Sequence, residues 1–326
     1  MTSMHVDLFG KHLFITGGTG FVGKTMLDYL AELAATHGCD FSVTVLTRSS
    51  GKFLQSHPEY EGLPWLGFVD GDLATLATLN TGQFTDVIHA AADTHKHASP
   101  LAWYDQLVGG TRAALEFARR SQARRFLFVS SGAVYAPVGD GRSIGEDEPG
   151  APQSLDLQAV YGNGKRAAET LGALYQAEHG IQFVTARCFA IVSRHIPLDG
   201  PYALGNFVRD AIDSGKGAIE IQGDGLDVRS YLDGWDMAHA MLSLLEKGQG
   251  GQAYNVGSAV PISIRDLAQQ VLDEFAPHKQ LIVHGKRFAN RKQFYVPDVE
   301  RLQQLGLRQK ITLAKSLNTL RLLLRQ

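Results

Sequence analysis

An α/β fold, a doubly wound parallel sheet with a smaller C-terminal α/β domain, is predicted by three features of this 326-residue chain. Short runs of β-forming residues alternate with stretches of helical periodicity, a glycine-rich turn stands directly after the first run, and the alternation breaks near residue 187. In order, the strand-like runs are Leu13-Phe14-Ile15, Val43-Thr44-Val45-Leu46, Phe68-Val69, Val87-Ile88, Phe126-Leu127-Phe128-Val129 and Phe183-Val184. Their rhythm places helices on both faces of a parallel sheet. Between them, Gly20 to Thr36 carries Val22, Met26, Leu27, Leu30 and Leu33 at helical spacing, and Leu101 to Ser121 and Tyr161 to His179 repeat the pattern. These are the expected crossover helices.

After Arg187, Pro197, Gly200, Pro201 and Gly205 mark a long loop before a short helix near Asn206 to Ser214. Strand-like Ala218 to Ile221, helix-like Trp235 to Glu246, strand-like Ala253 to Val256 and helix-like Ile264 to Phe275 follow. The expected division is therefore 1–186 and 187–326, with about 229–257 packing back on the first domain. The polar segment Gly139 to Gln153 reads as a surface loop bordering a ligand site.

With 44% hydrophobic and 20% charged residues the chain has the balance of a folded protein. Its 31 basic and 33 acidic residues give a net charge of -2, so no basic excess exists to neutralise nucleic-acid phosphates. Only Cys39 and Cys188 occur, too few for a disulfide framework or a thiolate metal site, which suits a reducing compartment, the cytoplasm. Met1 to Lys11 lacks the pattern of a signal peptide. No apolar run approaches the ~20 residues of a membrane span, so no membrane partner is expected.

The turn Thr16-Gly17-Gly18-Thr19-Gly20-Phe21-Val22-Gly23-Lys24-Thr25 fits two phosphate-binding patterns. As GxxGxxG, Gly17, Gly20 and Gly23 allow a tight exit from the strand, close backbone approach to a pyrophosphate and helix-on-sheet packing. As GxxxxGKT, Gly18, Gly23, Lys24 and Thr25 match a triphosphate loop, with Lys24 on phosphate and Thr25 on magnesium. The second pattern also needs an acid at another strand end. Here Val129 runs into Ser130-Ser131, and Ile88 into His89-Ala90-Ala91-Ala92, small-residue ends that suit a flat cofactor lying across the sheet.

Tyr161-Gly162-Asn163-Gly164-Lys165 opens a predicted helix, and the spacing of four puts Tyr161 and Lys165 on one face. A cation there favours tyrosinate, which brings the phenol toward useful proton exchange. Ser131, in Ser130-Ser131-Gly132-Ala133-Val134-Tyr135, offers a hydroxyl to the same substrate oxygen. Glycine turn, serine and Tyr/Lys pair, in this order and over nearly the whole chain, resemble the extended short-chain dehydrogenase/reductase family. Its members are NAD(P)-dependent epimerases, dehydratases and reductases of nucleotide sugars.

The resemblance implies a Rossmann-type sheet and assigns roles position by position. Gly17, Thr19, Gly20, Phe21, Val22 and Gly23 form the cofactor loop; Asp72 and Leu73 lie at the adenine; Ala90, Ala91 and Ala92 line the cofactor. Ser131, Tyr161 and Lys165 correspond to the catalytic trio, Tyr161 and Lys165 also touching cofactor. Gly223-Asp224-Gly225 followed by Arg229, Tyr231 and Asp236 is similar to the family segment whose arginine holds a sugar-nucleotide diphosphate, against the alternative of a salt bridge to Asp233 or Asp236. Tyr254-Asn255-Val256-Gly257 followed by Ile262-Ser263 also matches. Asn206 and Phe207 stand where relatives lay a loop and helix against the base. A homodimer is implied by the same analogy.

Departures from the family pattern narrow the expectation. Dehydratases carry Thr-Asp-Glu where this chain has Ser131-Gly132-Ala133, so the acid and base for water elimination are missing. NAD-preferring members place an acid after the second strand; here Leu46-Thr47-Arg48-Ser49-Ser50 offers Arg48 and hydroxyls, which fit a 2′-phosphate. NADP is therefore the expected cofactor, with NAD the alternative. Ala190 replaces the asparagine of RxxN, and Gly164 replaces the serine before the catalytic lysine. The expected activity is reduction at C4 of a nucleotide-linked 4-keto-6-deoxyhexose. A 4-epimerase with retained NAD is the first alternative, and a 4,6-dehydratase or a non-catalytic NADPH-binding protein comes after it. His89, His95 and His97 lack the spacing of metal ligands and fit polar contact near the cofactor. Cys188 is expected to be buried packing on its strand, and Leu313, Leu317, Leu320 and Leu324 a core helix.

Overall fold

The computed structural model describes residues 6–80, 82–92, 99–136, 138, 141–285 and 293–324; His95 and His97 lie outside them. The first half reads β1 (His12–Thr16), α1 (Phe21–His37), β2 (Ser42–Thr47), α2 (Ser50–Ser56), β3 (Leu66–Asp70), β4 (Asp86–His89), α3 (Pro100–Arg120), β5 (Arg125–Ser131), α4 (Val160–His179) and β6 (Gln182–Cys188). The second half contains β7 (Ala190–Val192), α5 (Ala203–Ile212), β8 (Ala218–Ile221), β9 (Val228–Arg229), β10 (Tyr231–Asp233), α6 (Gly234–Lys247) and β11 (Ala253–Val256). It ends with β12 (Ile262–Ser263), α7 (Ile264–Phe275), β13 (Gln280–Val283), β14 (Phe294–Tyr295), α8 (Glu300–Gln304) and α9 (Leu313–Leu324).

Seven strands form the main sheet in the order β11-β6-β5-β4-β1-β2-β3. β1 pairs in parallel with β2 and β4, β2 with β3, and β4 with β5. The order reverses between β1 and β4, and a crevice opens beyond the strand ends at such a switch point. The central strands are apolar almost throughout because helices cover both faces; all four residues of β4 are buried. Beside the sheet, Phe14, Phe84 and Phe117 cluster with centroids 4.3 to 5.9 Å apart, and Phe126, Phe128 and Phe183 stack next to them. Gly172 gives α4 its seat in this cluster, since a Cβ there would run into the Phe183 ring.

The chain divides into two compact units, one of Met1–Val134, Ala151–Arg187 and Ala238–Tyr254, the other of Tyr135–Gly150, Cys188–Met237 and Asn255–Gln326. The sequence reading of 1–186 and 187–326 differs from this at two places. The returning segment is 238–254 rather than 229–257. It is tied into the first unit by Arg125, whose guanidinium donates to the carbonyls of Leu245 (2.8 Å) and Gly248 (3.2 Å), and by the Tyr29–His239 contact of 3.0 Å. Conversely, 135–150 belongs to the second unit. Asn255, fully buried, accepts from Tyr135 Oη, donates its side-chain amide to the Ile144 carbonyl and its backbone N–H to Glu146 Oε1. The expected surface loop is therefore anchored, with Val138 and Ile144 in the core.

Within the second unit α5 packs on α7, β8 pairs with β13, β7 with β10, and β9 lies between β12 and β14. Cys188, expected to be buried, is half-buried at the end of β6. Among the described residues no helix is long and apolar enough to cross a membrane.

Candidate active site

The glycine turn sits at the sheet's switch point. Gly17 has φ +72°, and a Cβ on it would stand 2.5 Å from the Ala91 nitrogen, so loop and β4 end close on each other only through glycine. A Cβ on Gly23 would strike the Gly17 carbonyl. Gly20 caps α1 with backbone alone, and no acid occupies the helix's first turn, an arrangement that receives an anion. Ala90 and Ala91 face the turn from the β4 end and, like Ala92 after them, are half-buried; Thr19, Phe21 and Val22 are half-buried along the turn. The geometry fits a dinucleotide pyrophosphate. It does not fit the triphosphate pattern: Thr25 Oγ1 is buried and donates to the Phe21 carbonyl (2.9 Å), and Lys24 Nζ lies 3.1 Å from His57 Nε2.

At the outer end of the crevice Arg48 is exposed after β2, and Asp72, also exposed, accepts the N–H groups of Ala74 (2.9 Å) and Thr75 (3.1 Å). Leu73 is half-buried against Gly110. No acid follows β2 directly, but one from the neighbouring strand reaches this turn. Parallel pairing sets Asp70 opposite Thr47, and Asp70 Oδ1 accepts the Ser50 N–H at 2.7 Å. That hydrogen bond holds its carboxyl below the ordinary range.

Ser131 closes β5, and its Oγ accepts the Ala133 N–H at 3.1 Å. α4 begins against the same turn, because Gly162 leaves room for the Ala133 carbonyl. Tyr161, one residue earlier, stacks on Trp103 of α3 with centroids 5.6 Å apart. Lys165 is 2% exposed; its ammonium donates to the Val129 carbonyl (2.7 Å), lies 4.7 Å above the Phe128 ring and 5.9 Å from the Tyr161 ring. The first unit thus brings Ser131, Tyr161 and Lys165 to one end of the sheet. Gly164 has a packing reason: a Cβ there would stand 2.7 Å from Leu107 Cδ1, at the close approach of α3 and α4.

Two groups support this constellation: His89, expected to make polar contact near the cofactor and instead buried beneath the strand ends, and the half-buried Glu169, to which the sequence reading gave no role. His89, 1% exposed, links Thr16 (2.6 Å) to Thr111 (3.2 Å), whose hydroxyl donates on to the Leu107 carbonyl (2.7 Å). His89 Nε2 therefore donates to Thr111, and Nδ1 accepts from Thr16. Burial first, then the Lys165 charge, push His89 down to about 3, so it is a neutral strut. Among the described residues no cluster fit to hold a metal occurs. Glu169, one helical turn beyond Lys165, accepts from Ser130 Oγ (2.6 Å) and from Arg187 Nε (3.1 Å) and Nη2 (2.7 Å). Its i+4 spacing from Lys165 was the available sequence signal.

The remaining expected residues belong to the second unit. Arg229 donates to Gln293 Oε1 (3.0 Å), lies 5.5 Å from the Tyr295 ring and pairs with Asp227 at 3.5 Å. The alternative partners are engaged elsewhere: Asp233 accepts from Ser316, and Asp236 from the N–H groups of Lys310 and Ile311. Asn206 is half-buried and accepts from Arg209 (3.1 Å). Phe207 is buried in the unit's core at 4% exposure, so its ring is not offered to a ligand as expected. Ala190, in place of asparagine, is a β7 residue paired with Tyr231.

A family model described as "NAD dependent epimerase/dehydratase family" matches residues 13–257. The chain is 28% identical over 313 residues to the Arabidopsis thaliana trifunctional UDP-glucose 4,6-dehydratase/UDP-4-keto-6-deoxy-D-glucose 3,5-epimerase/UDP-4-keto-L-rhamnose-reductase RHM2, covering 92% of this chain and 45% of that protein. It thus spans about half the length of that relative. Among solved structures, DesIV, a dTDP-glucose 4,6-dehydratase from Streptomyces venezuelae with NAD bound, superposes with a TM-score of 0.82 at 23% identity, covering 96% of this chain and 97% of that one. RMD from Pseudomonas aeruginosa, complexed with NADPH, superposes with a TM-score of 0.74 at 25% identity, covering 95% and 97%.

Proposed function

Because this chain belongs to the NAD dependent epimerase/dehydratase family, we propose that it is an NADPH-dependent reductase acting at C4 of a nucleotide-linked 4-keto-6-deoxyhexose. The observation that carries the reading is the trio Ser131, Tyr161 and Lys165 beside a turn, Gly132–Val134, that holds no acid or base for water elimination. A dehydratase needs both groups there, and the carboxylate one turn beyond Lys165, Glu169, is committed to Ser130 and Arg187.

In this reading bound NADPH supplies the hydride. Tyr161 gives its phenolic proton to the C4 oxygen as negative charge develops, and Ser131 donates a hydrogen bond to the same atom. Lys165, fixed on the Val129 carbonyl, stabilises the phenolate left behind and reaches a ribose hydroxyl. The glycine turn with Thr19, Phe21 and Val22 holds the pyrophosphate, Asp72 and Leu73 flank the adenine, and Ala90, Ala91 and Ala92 lie under the cofactor. Arg229 clamps the substrate diphosphate, a role its planar guanidinium suits, and Asn206 borders the base. NADP is favoured over NAD by the exposed Arg48. The same reading includes a homodimer, checked by light scattering, and residence in the cytoplasm.

The second reading is a 4-epimerase that keeps NAD bound. Asp70 favours it, since an acid beside the adenosine ribose suits free hydroxyls. Mass spectrometry of the nucleotide released on denaturing protein purified without added cofactor separates the two. The reductase reading expects an empty site that prefers NADPH on titration; near-stoichiometric NAD overturns it in favour of the epimerase.

A further inference from the structure

Cofactor choice in this fold is read at the turn after the second strand, where an acid selects free ribose hydroxyls and an arginine a 2′-phosphate. This chain brings both charges to the same turn from different strands. Arg48 follows β2 directly and is exposed. Asp70 ends β3, in register with Thr47, and its carboxylate reaches across to the Ser50 N–H at 2.7 Å, two residues from Arg48. The neighbouring Gly71 N–H donates to the Thr47 carbonyl at 2.8 Å, so both strand ends are fastened and the carboxylate is held in place rather than trailing in solvent.

We propose that Asp70 is a specificity-determining residue for the cofactor, its fixed carboxylate opposing a 2′-phosphate and lowering the preference for NADPH that Arg48 confers. The proposal rests on the dinucleotide reading of the glycine turn and deepens the assignment of Arg48. A negative charge on this turn acts on a 2′-phosphate and barely on a 2′-hydroxyl, so its effect falls on the ratio of the two affinities. The interaction is solvent-exposed, so salt screens it within about 10 Å at 0.1 M ionic strength.

The test is fluorescence titration of the whole protein with NADPH and with NADH, for wild type, Asp70→Asn and Arg48→Ala, at low and at ~0.5 M salt. Asn keeps an oxygen to accept the Ser50 N–H and removes only the charge. In D70N the NADPH affinity rises about three- to tenfold relative to NADH at low salt, as for a unit charge removed near a phosphate in a wet site. The gain shrinks at high salt, and NADH affinity stays within about twofold. An unchanged ratio, or an equal change for both cofactors at either salt, overturns the proposal. The Arg48 assignment is judged separately: it fails if R48A leaves the ratio of wild type unaltered, whatever D70N does. If neither cofactor binds the wild type, the dinucleotide reading itself fails and the proposal with it.

Discussion

Glu169 shows how single side chains hold the site in place. With three hydrogen bonds it ties α4, through Arg187, to β6 and, through Ser130, to β5, one residue before the expected catalytic serine. Both charges are largely buried, with side-chain exposures of 13% for Arg187 and 14% for Glu169. Removing one partner leaves the other charge stranded. Glu169→Ala is therefore expected to cost ~3 kcal/mol in urea unfolding, with Glu169→Gln costing less because an acceptor remains. Tyr161 predicts a different signature. Tyr161→Phe keeps the ring on Trp103 and removes only the proton donor, so turnover should fall to background while cofactor affinity stays near wild type; unchanged turnover contradicts its role as acid. Sequence exposed the Tyr/Lys pair because both lie on one helix at a fixed spacing. The Glu169–Arg187–Ser130 network joins a helix and two strands, so that only the spacing of Glu169 from Lys165 is visible locally, and Asp70 reaches its turn only through strand register, which leaves no local pattern.

At the scale of elements, α4 carries glycines where the molecule packs most closely. Gly162 admits the Ala133 carbonyl, Gly164 admits Leu107, and Gly172 admits the Phe183 ring. The neighbours differ in how far they can give. Leu107 meets Gly164 with a side-chain end that rotates, whereas Phe183 is locked among aromatic rings. Gly172→Ala is therefore expected to destabilise by ~2 kcal/mol or more and Gly164→Ala by less than ~1 kcal/mol, measured by the urea midpoint. The first five strands were legible to within about two residues, and β6 except for its last four, because parallel strands covered on both faces are continuous apolar runs. The two- and three-residue strands β7, β9, β10, β12 and β14 were not, since so few residues carry no period. α2 was missed because it buries only Phe53.

For the whole molecule, His89 couples the site's supports to pH. Its folded value is about 3 against an ordinary 6.5, so between those limits the unfolded chain holds a proton that the folded one does not. Stability therefore falls as pH drops below 6.5, by ~2 kcal/mol from this group at pH 5. The buried carboxyls of Glu146 and Asp236, pushed up by burial, act in the opposite sense and regain stability on acidification. His89→Gln isolates the histidine: the loss between pH 7 and pH 5 should be ~2 kcal/mol smaller than in wild type, and an equal loss in both proteins refutes the neutral strut. The alternation of strands and helices made the main sheet legible from sequence. The return of the chain to the first unit was legible in part, as about 229–257 against the observed 238–254, but the transfer of residues 135–150 was not, because they join the second unit through the buried side chain of Asn255, more than a hundred residues away.

Net reduction at C4 is tested by following the hydrogen itself. The enzyme is incubated with NADPH deuterated at the transferable position and a nucleotide-linked 4-keto-6-deoxyhexose, and the product sugar is examined by mass spectrometry and NMR. A reductase places one deuterium at C4 and consumes one NADPH per product. Interconversion of 4-epimers with no deuterium incorporated and no NADPH consumed would rule out net reduction.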